Sequence, residues 1–100
     1  MGVQLRHYPI KPGQMDRFLN TFPKILAVRE TFGFRCLFAF ADREKNDFII
    51  CIEGDLDEAE ARYAASPELA RVEEETGARE LFDRPQMQNV EVVRAIWDGT

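Results

Sequence analysis

Arg6 and Tyr8 stand two residues apart in the alternating segment Val3-Gln4-Leu5-Arg6-His7-Tyr8, so on a strand both side chains leave the same face. A guanidinium and a phenol aimed at one point can hold a carboxylate or enolate oxygen. An equally weighted alternative ties Arg6 to Glu53 or Glu91 across a sheet as a structural ion pair. His7, the one imidazole of the chain, falls on the other side of that strand with Val3 and Leu5. Without a sequence-evident partner it reads as a hydrogen-bonded histidine at the edge of the core rather than a general base. Cys36 and Cys51 belong to opposite faces of a hairpin, too divergent to bridge. Cys36 reads as core, and Cys51 shares the face of Arg6 and Tyr8. Trp97 reaches that face too, to stack on a ligand or fill an interface. With Arg35 and Glu53, the candidate ligand-binding set is Arg6, Tyr8, Arg35, Cys51, Glu53 and Trp97. No residue is assigned to catalysis. Two cysteines without metal-ligand spacing and a single histidine argue against a zinc site, a disulfide scaffold or a Ser-His-Asp centre, and no cofactor is expected.

The elements that position these residues follow from periodicity. Residues 3–10 alternate as a first strand until Pro9 and Pro12-Gly13 stop it. Over 13–31, Met15, Phe18, Leu19, Phe22, Ile25 and Leu26 recur at spacings of three and four, an amphipathic helix in which Pro23 predicts a kink or break near Thr21-Phe22. Gly33 ends it. Residues 34–41 and 48–53 read as an antiparallel hairpin across a polar connection, with Phe40 opposite Phe48 and Phe38 opposite Ile50. Asp55 is placed to cap a helix over 56–65, and Ser66-Pro67 starts another over 68–76 that Gly77 closes. A last strand is expected over 88–97. The order β-α-β-β-α-β predicts an α+β, ferredoxin-like fold: an antiparallel sheet with helices on one face.

With 100 residues, 13 Lys+Arg and 18 Asp+Glu, the chain carries a net charge of −5. That is one domain spanning 1–100, with a surface that repels polyanions, so nucleic acid is not an expected partner. The longest apolar run, Phe48-Ile49-Ile50-Cys51-Ile52, is far short of the roughly 20 residues of a membrane helix. The first residues carry no apolar signal stretch, and a cytoplasmic location is expected.

Sorting strand residues by parity puts Val3, Leu5, Phe34, Cys36, Phe38 and Phe40 under the helices, with Phe48, Ile50, Ile52, Val90, Val92 and Ile96. The opposite face collects Leu37, Ala39, Ile49, Val93 and Ala95 along with the candidate set, and this mix is too apolar to be left bare. The expectation is a homodimer of two sheets packed face to face, burying Leu37, Ile49, Cys51, Val93 and Trp97, with a small-molecule cavity between them.

The strand containing Leu5-Arg6-His7-Tyr8, then Lys11-Pro12-Gly13 and a helix with Phe18-Leu19, resembles the opening pattern of the NIPSNAP family, and Gly33-Phe34-Arg35 resembles its entry into the second strand. That family belongs to the dimeric α+β barrels, together with antibiotic-biosynthesis monooxygenases and haem-degrading enzymes. The resemblance implies the same dimer, with Arg6 and Tyr8 at family-matching positions. Haem degradation is disfavoured, because His7, Asn20, Asn46 and Asn89 do not form the Asn-His-Trp constellation of those members. Two functions follow: a homodimer that binds a small anionic or aromatic molecule or serves as an assembly module, or a cofactor-independent monooxygenase or isomerase acting on a phenolic or enolisable substrate.

Overall fold

The computed structural model describes residues 2–93. Within them the elements are β1 (Gly2–Pro9), α1 (Met15–Thr31), β2 (Arg35–Asp42), β3 (Asp47–Gly54), α2 (Glu58–Ala64), α3 (Pro67–Thr76), a 3-10 turn (Ala78–Leu81) and β4 (Gln86–Val90). Local chemistry sets several of these boundaries. Gly33, at φ 87°, turns the chain out of α1 in a conformation that costs a glycine little. The Asp55 carboxylate accepts from the backbone of Asp57 and Glu58 at the start of α2, and the Ser66 hydroxyl accepts from Leu69 N at 3.2 Å to cap α3. Helix α1 runs through Pro23 without a break. The missing N–H forfeits one bond of the helical ladder, and the packing of Phe18 before it and Arg29 after it on the same cluster holds the helix across the gap.

The strands form one antiparallel sheet in the order β2-β3-β1-β4, as the β-α-β-β-α-β pattern predicts. The core lies between the sheet and the helices, with Phe48, Ile50 and Ile52 of β3 packed on Phe18, Phe34, Tyr63 and Leu69. Ile52 has no exposed surface, and burying each such side chain contributes about 1.5–3 kcal/mol.

Three face assignments differ from the sequence reading, the third being Val90 of β4, expected under the helices but paired with Val3 on the open face. In β1 the register pairs Gln4 with Ile52, Arg6 with Ile50 and Tyr8 with Phe48, so Gln4, Arg6 and Tyr8 face the helices. Val3, Leu5 and His7 take the open face, the reverse of expectation. Polarity alone points a charged residue outward, whereas Arg6 is buried with a partner. In β2 a bulge between Cys36 and Phe38 inserts Leu37, so that Phe38 pairs with Cys51 and Phe40 with Ile49. One extra residue exchanges the faces of everything beyond it, and Phe38 and Phe40, their rings stacked 5.7 Å apart, move to the open side. Strand β4 starts at Gln86 rather than 88 and ends at Val90. The expected positions of Ala95, Ile96 and Trp97 lie outside the described residues.

The open face therefore presents Leu5, Phe38, Phe40, Ile49 and Val90. Cys51, expected to be buried by a partner, is already 2% exposed within its own chain, flanked in register by Leu5 and Phe38. Both cysteines are free thiols on opposite faces, as expected. No described helix is long and apolar enough to cross a membrane.

Candidate functional site

Helix α1 carries Phe18, Phe22, Ile25, Leu26 and Arg29 on one stripe, and the sheet beneath it contributes Phe48 and Ile50. Between them a cavity of about 420 Å³ remains, within the ~300–1,000 Å³ range of small-molecule sites. Its walls are aromatic. The Phe18 ring lies 4.9 Å from Phe48 and meets Phe82 edge-on at 5.8 Å, while Tyr8 meets Phe82 edge-on at 5.1 Å. The segment after α3, through Phe82, Pro85 and Met87, borders the other side.

One end of this apolar space is ionic. The Arg6 guanidinium donates from Nη2 to Glu60 Oε1 at 2.8 Å and from Nε to Gln4 Oε1 at 2.7 Å, and its Nη1 stands 3.4 Å from the Tyr8 hydroxyl. Arg29 donates from Nη1 to the other oxygen, Glu60 Oε2, at 2.9 Å. The Arg29 guanidinium also lies 4.1 Å over the Tyr63 ring and 5.1 Å from the Phe34 ring, a cation–π seat inside the core. Arg6 is 4% and Arg29 5% exposed. Burial pushes the Glu60 carboxyl up, but Arg29 and Arg6 outweigh it and hold the group below the usual carboxylate range. Burial likewise works to lower Arg6, and Tyr8 and Glu60 override it, so the guanidinium is held charged. For Tyr63 burial wins over the nearby arginine and the phenol is pushed up.

The candidate set thus divides. Arg6 and Tyr8 come together, not between two sheets but inside one chain, between its sheet and its helices. Arg35, Cys51 and Glu53 stand on the open face, away from that cavity. Trp97 lies outside the described residues. The ion pair weighed for Arg6 exists with a different partner: Glu60 of α2, because Glu53 is on the other side of the sheet. His7 is hydrogen-bonded as expected, its Nδ1 3.1 Å from Asp47 Oδ2, though on the open face. Burial raises the thiol pKa of Cys51, and of Cys36, which disfavours the thiolate form in both. Among the described residues no cluster has the make-up of a metal site.

Sequence reasoning missed Glu60 and Arg29. Arg29 left a signal: it follows Phe18, Phe22 and Ile25 by 11, 7 and 4 positions and so continues the buried stripe, where a charge requires a partner. Glu60 sits beside the buried pair Ala59 and Tyr63 on a short helix whose inward face is less marked.

No family model matches the sequence, and no curated protein matches it. Solved structures do. A NIPSNAP family protein of unknown function from Agrobacterium tumefaciens superposes with a TM-score of 0.76 at 18% identity, covering 90% of this chain and 86% of that one. A NIPSNAP domain protein from Burkholderia xenovorans gives 0.74 at 18% identity and covers 97% of both chains. A Bacteroides thetaiotaomicron protein assigned to the antibiotic biosynthesis monooxygenases gives 0.70 at 19% identity, over 97% of this chain and 93% of its own. The chain therefore has the ferredoxin-like α+β fold of these proteins, over nearly its whole length.

Proposed function

We propose that this protein binds a small molecule of aromatic and anionic character in the cavity between its own sheet and helices, as a cytoplasmic homodimer and without turnover. The observation that carries the reading is an aromatic-walled space of about 420 Å³ ended by the Arg6–Glu60–Arg29 network and the Tyr8 hydroxyl. Protein cores do not leave such space unfilled without cost, and a few polar groups converging on an apolar cavity is the usual construction of a ligand site. The apolar open face, with Phe40 51% exposed beside Phe38 and Ile49, supports the dimer. Isothermal titration with two-ring aromatic acids is the test. Saturable binding that is lost when Ala64→Trp obstructs the cavity from α2 supports the reading. Binding unaffected by that substitution moves the site elsewhere.

One observation favours a second reading. The Tyr8 hydroxyl and the Arg6 guanidinium, 3.4 Å apart at the end of the aromatic cavity, could together hold an enolate oxygen. On this reading the protein oxidises a phenol without a cofactor: phenol and dioxygen give quinone and water, one oxygen atom entering the ring and the other leaving with two substrate hydrogens. Oxygen uptake by the pure protein across a panel of phenols decides it, and no uptake removes it.

A further inference from the structure

Among the described residues, the ionic end of the cavity is not electrically balanced. Two guanidinium groups, both buried, share the single carboxylate of Glu60. Among the described residues, the other charged groups bordering the space do not supply the missing anion. Glu73 is paired with Arg79, and Asp83 and Arg84 add one charge of each sign. A positive charge held away from water without a counter-charge is costly, and a bound anion relieves that cost.

The donors are also unevenly used. Arg6 commits Nε to Gln4 and Nη2 to Glu60, both at short distance, while Nη1 reaches only the Tyr8 oxygen at 3.4 Å, long for a hydrogen bond from a charged group. Because Tyr8 stands as the acceptor in that contact, its hydroxyl proton is free to point into the cavity. Arg6 Nη1 and the Tyr8 hydroxyl are thus two adjacent donors on a space that Phe18, Phe22, Phe48 and Phe82 also line.

Resting on the ligand-binding reading above, we propose that the cavity is selective for aromatic monocarboxylates: the carboxylate accepts from Arg6 Nη1 and the Tyr8 hydroxyl, and the ring lies against the phenylalanines that line the space. One negative charge neutralises the excess of one positive charge. A neutral ring of the same shape fills the apolar space but leaves that charge uncompensated.

The test pairs 2-naphthoate with 2-naphthamide, equal in shape and different in charge, by isothermal titration at neutral pH. The naphthoate should bind about tenfold or more tightly, as expected for a charge-assisted pair in a shielded site. The Glu60→Gln variant, which removes the competing carboxylate, should bind naphthoate more tightly than the wild type and naphthamide no differently, its fold being checked by circular dichroism. Equal affinity for acid and amide overturns the carboxylate assignment and leaves the cavity as an aromatic site. Binding of neither probe overturns the ligand-binding reading itself. Should Glu60→Gln not fold, the acid and amide on the wild type still decide.

Discussion

Replacing Glu60 by Gln removes the one anion between two buried arginines and keeps the side chain's size and one acceptor oxygen. Loss of one partner from a buried ion pair costs about 3–5 kcal/mol, because the surviving charge stays desolvated. Two features reduce that here. The Glu60 side chain is 24% exposed, and the Gln carbonyl still accepts from one guanidinium, so we work with about 2 kcal/mol. In a domain of this length that lowers the melting temperature by about 8–16 °C. The pH dependence sharpens the test. The carboxyl is held below its ordinary value of 4.5 in the folded chain by Arg29 and Arg6 against the effect of burial. Between the two values the unfolded chain binds more protons than the folded one, so the contribution is fully present above 4.5 and is lost as pH falls through the folded-state pKa. Wild type and variant should therefore differ at pH 7 and converge in acid, where Glu60 is protonated and no longer unlike Gln. Thermal melts by circular dichroism from pH 7 down to pH 3 measure both. A difference under about 0.5 kcal/mol at pH 7, the size of an ordinary surface substitution, or one that does not shrink in acid, would refute the view that Glu60 acts as the shared counter-ion.

In the proposed homodimer, Phe40→Lys places a charge on an exposed edge-strand residue of the open face, and the variant should stay folded while its molar mass by light scattering falls from dimer to monomer. An unchanged dimer would remove this face as the interface. Ser66→Ala deletes the cap that accepts from Leu69 N and should cost about 1 kcal/mol in denaturant melts. Cys51, buried and with its pKa raised by that burial, should react with a thiol reagent at pH 8 more slowly than half-buried Cys36, and both should react fast once the chain is unfolded. Equal rates in the native protein would mean that Leu5 and Phe38 do not cover it.

The fold was legible because its signals are local. Alternation in β1 and β3, the three-and-four spacing of α1, and turn or cap residues such as Gly33 and Ser66 each act over a few positions and at the expected places, while Asp55 binds the backbone ahead of a helix that starts at Glu58 rather than 56. Which face each strand presents is not local. Parity in β1 depends on its register against β3, and polarity misled it because Arg6 is a buried charge. The β2 hairpin depends on a bulge at Leu37 that nothing in Phe34-Arg35-Cys36-Leu37-Phe38 announces. A single slipped residue there carries two phenylalanines to the opposite side of the sheet.

The same inversion explains why Arg6 and Tyr8 still come together while the space they face is not the expected one. Arg6 and Tyr8 share a face whichever way β1 is turned, since two residues is one strand period. What changes with the turn is what they face. Toward a second sheet they would face a partner chain's residues. Toward the helices they meet Glu60, set 54 positions away in the sequence, and Arg29 from α1 on the same carboxylate. Holding two arginines in the core is expensive as a structural device, since apolar residues of similar volume stabilise as well or better. On the proposed ligand-binding reading, a network that carries one more cation than anion among the described residues, beside a space lined by aromatic rings, is what a bound anion would balance.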